Sequence, residues 1–406
     1  MLDKEGIRQL AYVVIIDGIE PIPGYDRVEH AIVGGWRVIV QKDQFEVGDP
    51  AIYFEIDSRV PADRECFAFL EKRNYKVKTL KMCKTISQGL LMHPSDFGWR
   101  TMEGQPDVIV DDEGNYHRTD EESRFLTKKL GVTYADDEDN ARKAPTIDKY
   151  KKMAQRHPNI FKKSWARWMM RHKVGREIMF LIFGRAKDKK NGWPSWVQKT
   201  DEERVQNMPW ILKDDGDWIA TEKIDGTSTT FTMRRKRFGK KQFFVCSRNV
   251  CFDSVEKPCY YDTNVYWEMA QKYKMYEVLE YLMTYCFSDA EWVTIQGETY
   301  GEGVQRRDYS LKGHDFAAFN LITSTHGRYG TEDMKLYLEP RGIPCVPVVE
   351  NKMKINQFEN IDAILAYADG NSQLDGKMRE GIVFRSLDGT KSFKAVSNSF
   401  LLKYHG

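Results

Sequence analysis

The sequence predicts a multi-domain protein: a small all-β barrel near the N-terminus, and an α+β domain built on antiparallel sheets toward the C-terminus. Three observations lead there. Residues 8–95 break into short β-type runs, "AYVVIIDGIEPIPG", "AIVGGWRVIVQK", "DPAIYFEID" and "KVKTLKMC", parted by Gly, Pro and Asp turns. From residue 193 on, strands such as "DWIATEKI", "STTFTMRR", "EWVTIQGETYG" and "EGIVFRS" alternate with helical runs near "DTNVYWEMAQKYKMYEVLEYLMTYC" and "FENIDAILAYAD". A length of 406 residues accommodates two or three domains.

Composition excludes several classes. Hydrophobic residues make up 41% and aromatics 13%, too many for a disordered chain. The net charge of +2 means that any affinity for nucleic acid must come from local basic patches. The seven cysteines lack a CxxC pair or framework spacing, as expected in a reducing compartment. No signal peptide is evident, and the apolar run "IMFLIF" is too short to cross a bilayer. A soluble, cytoplasmic monomer without a membrane or protein partner is expected.

Taken in order, the barrel occupies residues 1–105 and closes with "TISQGLLMHP". Residues 106–192 read as an acidic linker, "DDEGN" to "DDEDN", and then a basic helical insertion from Arg142 to Lys190. Trp165 and Trp168 lie in that insertion at helical spacing. They read either as packing residues or as stacking platforms for bases, while the basic face is a candidate for phosphate contact. Residues 193–406 form the α+β domain. No strand in it runs into a GxGxxG or GxxxxGK[ST] loop, so dinucleotide and P-loop sites are excluded.

The candidate site starts at "IATEKIDGTS", where Lys223 stands between a strand end and an Asp-Gly turn, a place where backbone can approach a ligand. Other polar clusters follow in order: "CSRN" with Arg248, "QGETYGEG" with Glu298, "FAAFN" with Phe316 and Phe319, "REGIVFR" with Glu380, and "KSFKAVS" with Lys391 and Lys394. K-x-D-G alone recurs by chance. The ordered set resembles the signature of the covalent nucleotidyltransferases, which comprise ATP-dependent DNA and RNA ligases and mRNA capping enzymes.

That resemblance implies a nucleotidyltransferase domain in which the Lys223 amine attacks the α-phosphorus of ATP to form a lysyl-AMP phosphoramidate. The amine must be neutral to attack, against an ordinary lysine pKa of about 10.4. Asp225, Glu298 and Glu380 are the candidates to hold Mg²⁺ or Mn²⁺, mostly through water. Lys394 would neutralise charge developing on the α-phosphate. Glu222 would receive the adenine amino group, Gly226 would let backbone approach the nucleotide, and Arg248 would hold a ribose or a terminal phosphate. Phe316 and Phe319, three apart in a strand, should face opposite ways, and Phe319 is the candidate for stacking on adenine. Lys391 reads as a surface lysine. Glu380 and Lys394 share one face only if the turn at Asp388-Gly389 has an odd-length loop or a bulge, so the functional reading predicts one.

Domain order narrows the family. DNA ligases and capping enzymes carry an oligonucleotide-binding (OB) barrel after the lysine domain, whereas here the barrel precedes it and none is expected after Lys394. "RVEHAIVGGWRVIVQKDQFEVGDPAIYFEIDSRVP" and "YKVKTLKMCKTISQGLL" resemble the N-terminal OB domain of RNA ligases that seal 3′-OH/5′-phosphate nicks in duplexes. "PSWVQKTDEERVQN" resembles that family's entry into its catalytic domain, with Arg204 a candidate phosphate or metal-site contact. The sequence departs from the family at Met82-Cys83-Lys84, and at Ser392, where many relatives have a second lysine. The expected partner is RNA, a nicked duplex with an RNA 3′-OH strand. The alternatives are a capping enzyme, a DNA ligase, or a non-catalytic RNA-binding protein with a ligase-like domain.

Overall fold

The computed structural model describes residues 1–102, 104–134, 193–236, 239–252 and 263–405, together with the single residues 163, 165, 169, 179, 254, 255, 259 and 261. The predicted basic insertion from Arg142 to Lys190 therefore lies outside the described residues save for single positions. Trp168 is not described, and Trp165 is 48% exposed.

The N-terminal strands are β1 (Ala11–Ile15), β2 (Gly18–Ile22), β3 (Tyr25–Val33), β4 (Trp36–Gln41), β5 (Pro50–Phe54), β6 (Ser58–Arg59), β7 (Lys76–Val77), β8 (Thr79–Met82), β9 (Thr85–Gln88) and β10 (Leu90–Met92). They form small antiparallel sheets, β1-β5-β10, β2-β3-β4 and β8-β9, around shared cores. Strand β5 explains the arrangement. Alternate residues of a strand face opposite sides. Ile52 and Phe54 join Val13, Phe67 and Trp99 on one side, and Ala51 and Tyr53 join Tyr12, Trp36 and Val38 on the other. A strand buried on both faces must be apolar throughout, which is why "AIYF" is an unbroken run.

The stretch expected as an acidic linker is structured through residue 134. Strands β11 (Arg100–Met102), β12 (Gln105–Val110) and β13 (Tyr116–Arg118) form an antiparallel sheet, and β14 (Thr133–Tyr134) pairs with β6. Ile109, Leu126, Leu130 and Val132 enter the core that holds Ile52 and Phe54. Asp111 is buried rather than solvated, with Lys129 at 2.7 Å and His117 at 2.9 Å. The acids concealed apolar residues spaced to reach the core.

The C-terminal domain holds two antiparallel sheets. One has the order β22-β15-β23-β24, from β15 (Asp217–Lys223), β22 (Val348–Lys354), β23 (Gly381–Ser386) and β24 (Ser392–Val396). The other runs β18-β17-β16-β19-β20-β21, from β16 (Thr227–Arg235), β17 (Lys241–Cys246), β18 (Cys251–Phe252), β19 (Trp292–Gly301), β20 (His314–Thr323) and β21 (Gly327–Arg328). Helices α1 (Val265–Lys272), α2 (Met275–Tyr281) and α3 (Thr331–Leu338) bury one face of the six-stranded sheet through Phe231, Ile295 and Phe316. Helix α4 (Ile361–Ala368) covers Trp218, Phe384 and Phe393 of the other sheet. The helical run predicted from Asn264 onward is broken, because Lys274 adopts a left-handed conformation (φ 48°) between α1 and α2.

The remaining face of the six-stranded sheet is largely polar. Thr230, Thr232, Thr294 and Gln296 are fully buried beneath the segment entering the domain. Thr232 bonds Thr294 at 2.6 Å, and Gln296 donates to the Gln198 carbonyl at 2.8 Å. Polar groups this deep remain only because each finds a partner.

A charged seam joins the barrel to this domain. Glu55 at the end of β5 is fully buried. It accepts hydrogen bonds from Arg8 at 2.7 Å, Asn207 Nδ2 at 2.8 Å and the Tyr12 hydroxyl at 3.0 Å, and it pairs with the Met1 amino group. Trp36 Nε1 donates to Asn207 Oδ1 at 2.6 Å. Burial alone would raise the Glu55 pKa, but the Met1 amine and Arg8 outweigh it and hold the carboxyl far below its usual range. At the Gly34-Gly35 turn the chains nearly touch: Gly35 N donates to the Gln206 carbonyl at 2.7 Å, and a Cβ on Gly35 would lie 2.7 Å from Gln206 Cα.

Candidate active site

Lys223 ends β15, and the antiparallel register decides what it meets. Lys223 pairs with Gly381 on β23, and Val383 pairs with Lys394 on β24. Paired residues share a face, and so do residues two apart along a strand. Lys223, Thr221, Gly381, Val383 and Lys394 therefore lie on one face, opposite the core of Trp218, Phe384 and Phe393.

Glu380 reaches this face by another route. The β23-β24 ladder is regular and its loop, residues 387–390, is even in length, with Ser386 N bonded to the Lys391 carbonyl at 3.0 Å. The predicted odd loop or bulge is absent, and simple alternation would place Glu380 and Lys394 on opposite faces. Glu380, however, stands one residue before β23, its carbonyl accepting from Ser397 N at 2.8 Å, and its side chain turns to Lys223 despite the alternation. Its Oε2 accepts from Lys223 Nζ at 2.7 Å.

Glu298 comes from the other sheet, where it pairs with Ser228 just beyond the turn after Lys223. Gly226 permits this approach, since a Cβ there would lie 2.3 Å from the Thr299 carbonyl oxygen and 2.9 Å from Glu298 Cγ. The requirement is space between strands rather than an unusual φ. Asp225 sits in the same turn, its N–H donating to the Tyr309 hydroxyl at 2.6 Å.

Electrostatics tie the group together. Burial favours the neutral Lys223 amine, but Glu380, Glu298 and Asp225 outweigh it and raise its pKa. Glu298 is pushed up to about 8, first by burial, with Lys223 opposing and Glu380 and Asp225 adding to the rise. The three carboxylates thus hold the lysine as an ammonium, and its deprotonation requires their charge to be offset. Among the described residues, no three acidic, His or Cys side chains close around one point as an all-protein metal cage. Crowded carboxylates with one of them driven toward protonation instead suit a hydrated divalent cation that completes its shell with phosphate oxygens.

Beyond Lys394 the charge reverses. Burial, then Arg8 and Arg204, hold the Lys394 ammonium pKa well below its usual value. Arg204, 7% exposed, bridges Lys394 along the backbone and donates Nη2 to Asp57 at 2.8 Å. Its Nε and Nη1 are buried with no protein partner, and so is Arg8 Nε. Buried donors without acceptors, beside a lysine crowded by other cations, suit an anion.

The other predicted residues sit as follows. Glu222 faces away from Lys223 along β15. It is 1% exposed, and one oxygen accepts from Gln373 N at 2.8 Å while the other lacks a protein partner. Phe316 is fully buried against Phe231. Gln296 pairs with Asn320 and Gly297 with Ala318, leaving Phe319 as the extra residue of a β-bulge. It packs half-buried beside Ile224, Tyr300 and Tyr309. Arg248 is engaged, with Nη2 2.8 Å from both oxygens of Asp201 and its guanidinium 4.8 Å from the Tyr134 ring centroid. Lys391 is exposed and pairs with Asp214 at 2.7 Å. Sequence reasoning missed Arg8, Tyr134, Asp201 and Tyr309. Asp201 lay inside the quoted "KTDEERVQN", two residues before the Glu203 that meets Lys394 N at its carbonyl, 2.7 Å away. The others carried no local signal.

An OB-type barrel joined to an antiparallel domain, with a lysine ringed by acids at a strand end, defines the covalent nucleotidyltransferase class. Family models match twice: an OB-fold domain over residues 10–94 and RNA ligase over residues 216–405. Solved structures of a Naegleria gruberi RNA ligase match over nearly the whole chain. The form with PPi is 25% identical, with a TM-score of 0.69, 98% of this chain covered and 99% of that one. A glutamate mutant with AMP and Mn matches at 25% identity and a TM-score of 0.68, and a lysine mutant with ATP and Mn at 25% and 0.67, with the same coverage. A search by sequence among curated proteins returns no match. The chain belongs to the ATP-dependent RNA ligases with an N-terminal OB domain, and it is an enzyme.

Proposed function

We propose that the protein seals 3′-OH/5′-phosphate breaks in RNA, specifically nicks in duplexes, with ATP as the AMP donor. The observation that carries this reading is the position of Lys223, 2.7 Å from Glu380, on one sheet face with Lys394 and opposite Glu298. Lys223 Nζ attacks the α-phosphorus and the bond to pyrophosphate breaks, leaving lysyl-AMP. The AMP moves to the 5′-phosphate of the RNA. The 3′-OH then attacks that phosphate, the phosphodiester forms and AMP leaves.

The chain's residues divide the work. Glu380, Glu298 and Asp225 hold the divalent cation, Mg²⁺ or Mn²⁺, which when bound offsets their charge and so favours the neutral amine. Lys394, with Arg204, meets the phosphate charge. Glu222 offers its unpartnered oxygen to the adenine amino group, the Phe319 bulge presents a ring for stacking, and Gly226 keeps the backbone close. Arg248 takes a ribose or phosphate oxygen after leaving Asp201. Bound ATP or AMP with Mn in the Naegleria relatives supports the nucleotide and metal assignments.

Substrate choice is tested by presenting the enzyme with a nicked duplex carrying an RNA 3′-OH strand and with the same strands unpaired. Efficient sealing of the nick, with loss of affinity as salt rises, is expected from phosphate contacts. Equal sealing of the unpaired strands would contradict the nick reading.

A further inference from the structure

A second polar cleft lies at the far end of β16 from Lys223. Trp193, Trp196, Arg234, Arg235, Lys236, Phe244 and their neighbours enclose about 640 Å³. Its walls combine aromatic rings with cations. The Arg234 guanidinium sits 4.6 Å from the Trp196 ring centroid, and Lys199 Nζ sits 4.0 Å from that of Trp193. Phe244 meets Trp196 edge-on, with centroids 5.3 Å apart. Between β16 and β17, Lys236 and Lys240 are exposed. Among the described residues lining the cleft, Glu291 is the one acid, and Arg234 pairs with it.

The same segment connects the cleft to the catalytic face. Thr200 bonds Ser228 at 2.8 Å beside Glu298, Gln198 accepts from Gln296, and Trp196 reaches Thr232 at 3.5 Å. From Ser228 to Arg234 the strand rises about 20 Å.

We propose that this cleft is an RNA-binding subsite that takes an unpaired nucleotide of a single-stranded extension beyond the nicked duplex, with the base against Trp196 and Trp193 and its phosphates against Lys236. A cavity of this size holds a nucleotide. Tryptophan faces bind bases of any sequence, and surrounding cations supply the backbone contacts. The assignment rests on the RNA-ligase reading for its ligand, and it adds a contact remote from the adenylylated lysine.

The test measures binding of fluorescein-labelled oligouridylate and of a blunt RNA duplex of equal length to the full chain, in Trp196→Ala and Lys236→Ala variants. Trp196→Ala should weaken oligouridylate binding roughly tenfold and leave the duplex unchanged. Lys236→Ala, at an exposed position that leaves the fold intact, should lower the salt slope for oligouridylate by about one. Both variants should label Lys223 with AMP as the wild type does. Unchanged oligouridylate binding and salt slope would overturn the subsite, and so would equal weakening of duplex and single strand by Trp196→Ala. Failure of the wild type to form lysyl-AMP would instead remove the ligase reading, while the binding comparison still decides the cleft.

Discussion

Lys394→Ala is expected to slow the adenylylation of Lys223 by about two to three orders of magnitude while the protein stays folded. Lys394 shares a sheet face with Lys223, and Arg8 and Arg204 crowd it from the barrel side. Packing three cations together is unfavourable unless an anion arrives. An arriving phosphate offsets that crowding, and the interaction strengthens as negative charge grows on the α-phosphate. An interaction realised mainly in the transition state shows itself in rate rather than in ATP affinity. Single-turnover measurement of AMP transfer, with ATP affinity measured alongside, separates the two. A Lys394→Ala variant with a near-normal rate would remove Lys394 from the chemistry.

Glu55→Ala should cost about 3–5 kcal/mol of stability, since removing one partner leaves buried charge uncompensated. Arg8 and Asn207 both bond to this carboxylate, and Arg8 is only 7% exposed. The sign of the pH dependence follows from the same contacts. The folded-state pKa is depressed, so the contribution of Glu55 is complete above the ordinary glutamate range and is lost as pH falls toward the folded value. Urea melts from pH 7 downward should show wild-type stability falling in acid more steeply than that of the variant. Parallel curves would mean that the seam contributes nothing through Glu55.

Some of this was legible in the residues. The run "DPAIYFEID" announced a strand of the barrel, and the strand-to-turn placement of Lys223 announced a site. The hairpin parity argument failed because Glu380 stands at the very end of the strand, one residue before β23, where its long side chain reaches Lys223 although its backbone still bonds Ser397. Residues 106–134 misled because charge density masked Ile109, Leu126 and Leu130, whose burial depends on a core built by strands far earlier in the chain. Arg8, 47 positions from Glu55, had no local pattern to betray it. Its burial and its nearness to Lys394 arise only when the barrel docks on the catalytic domain. Arg248 was readable as a binding residue, but its clamp on Asp201 was not.

The central claim is that Lys223 carries AMP. The direct measurement incubates the protein with ATP labelled at the α-phosphate and Mn²⁺ or Mg²⁺, denatures it, and looks for label on the chain, with Lys223→Ala in parallel. The account predicts label on the wild type, none on the variant, and none when labelled GTP replaces ATP. Folded wild-type protein, freed of any pre-bound AMP, that takes up no label with either metal would contradict it.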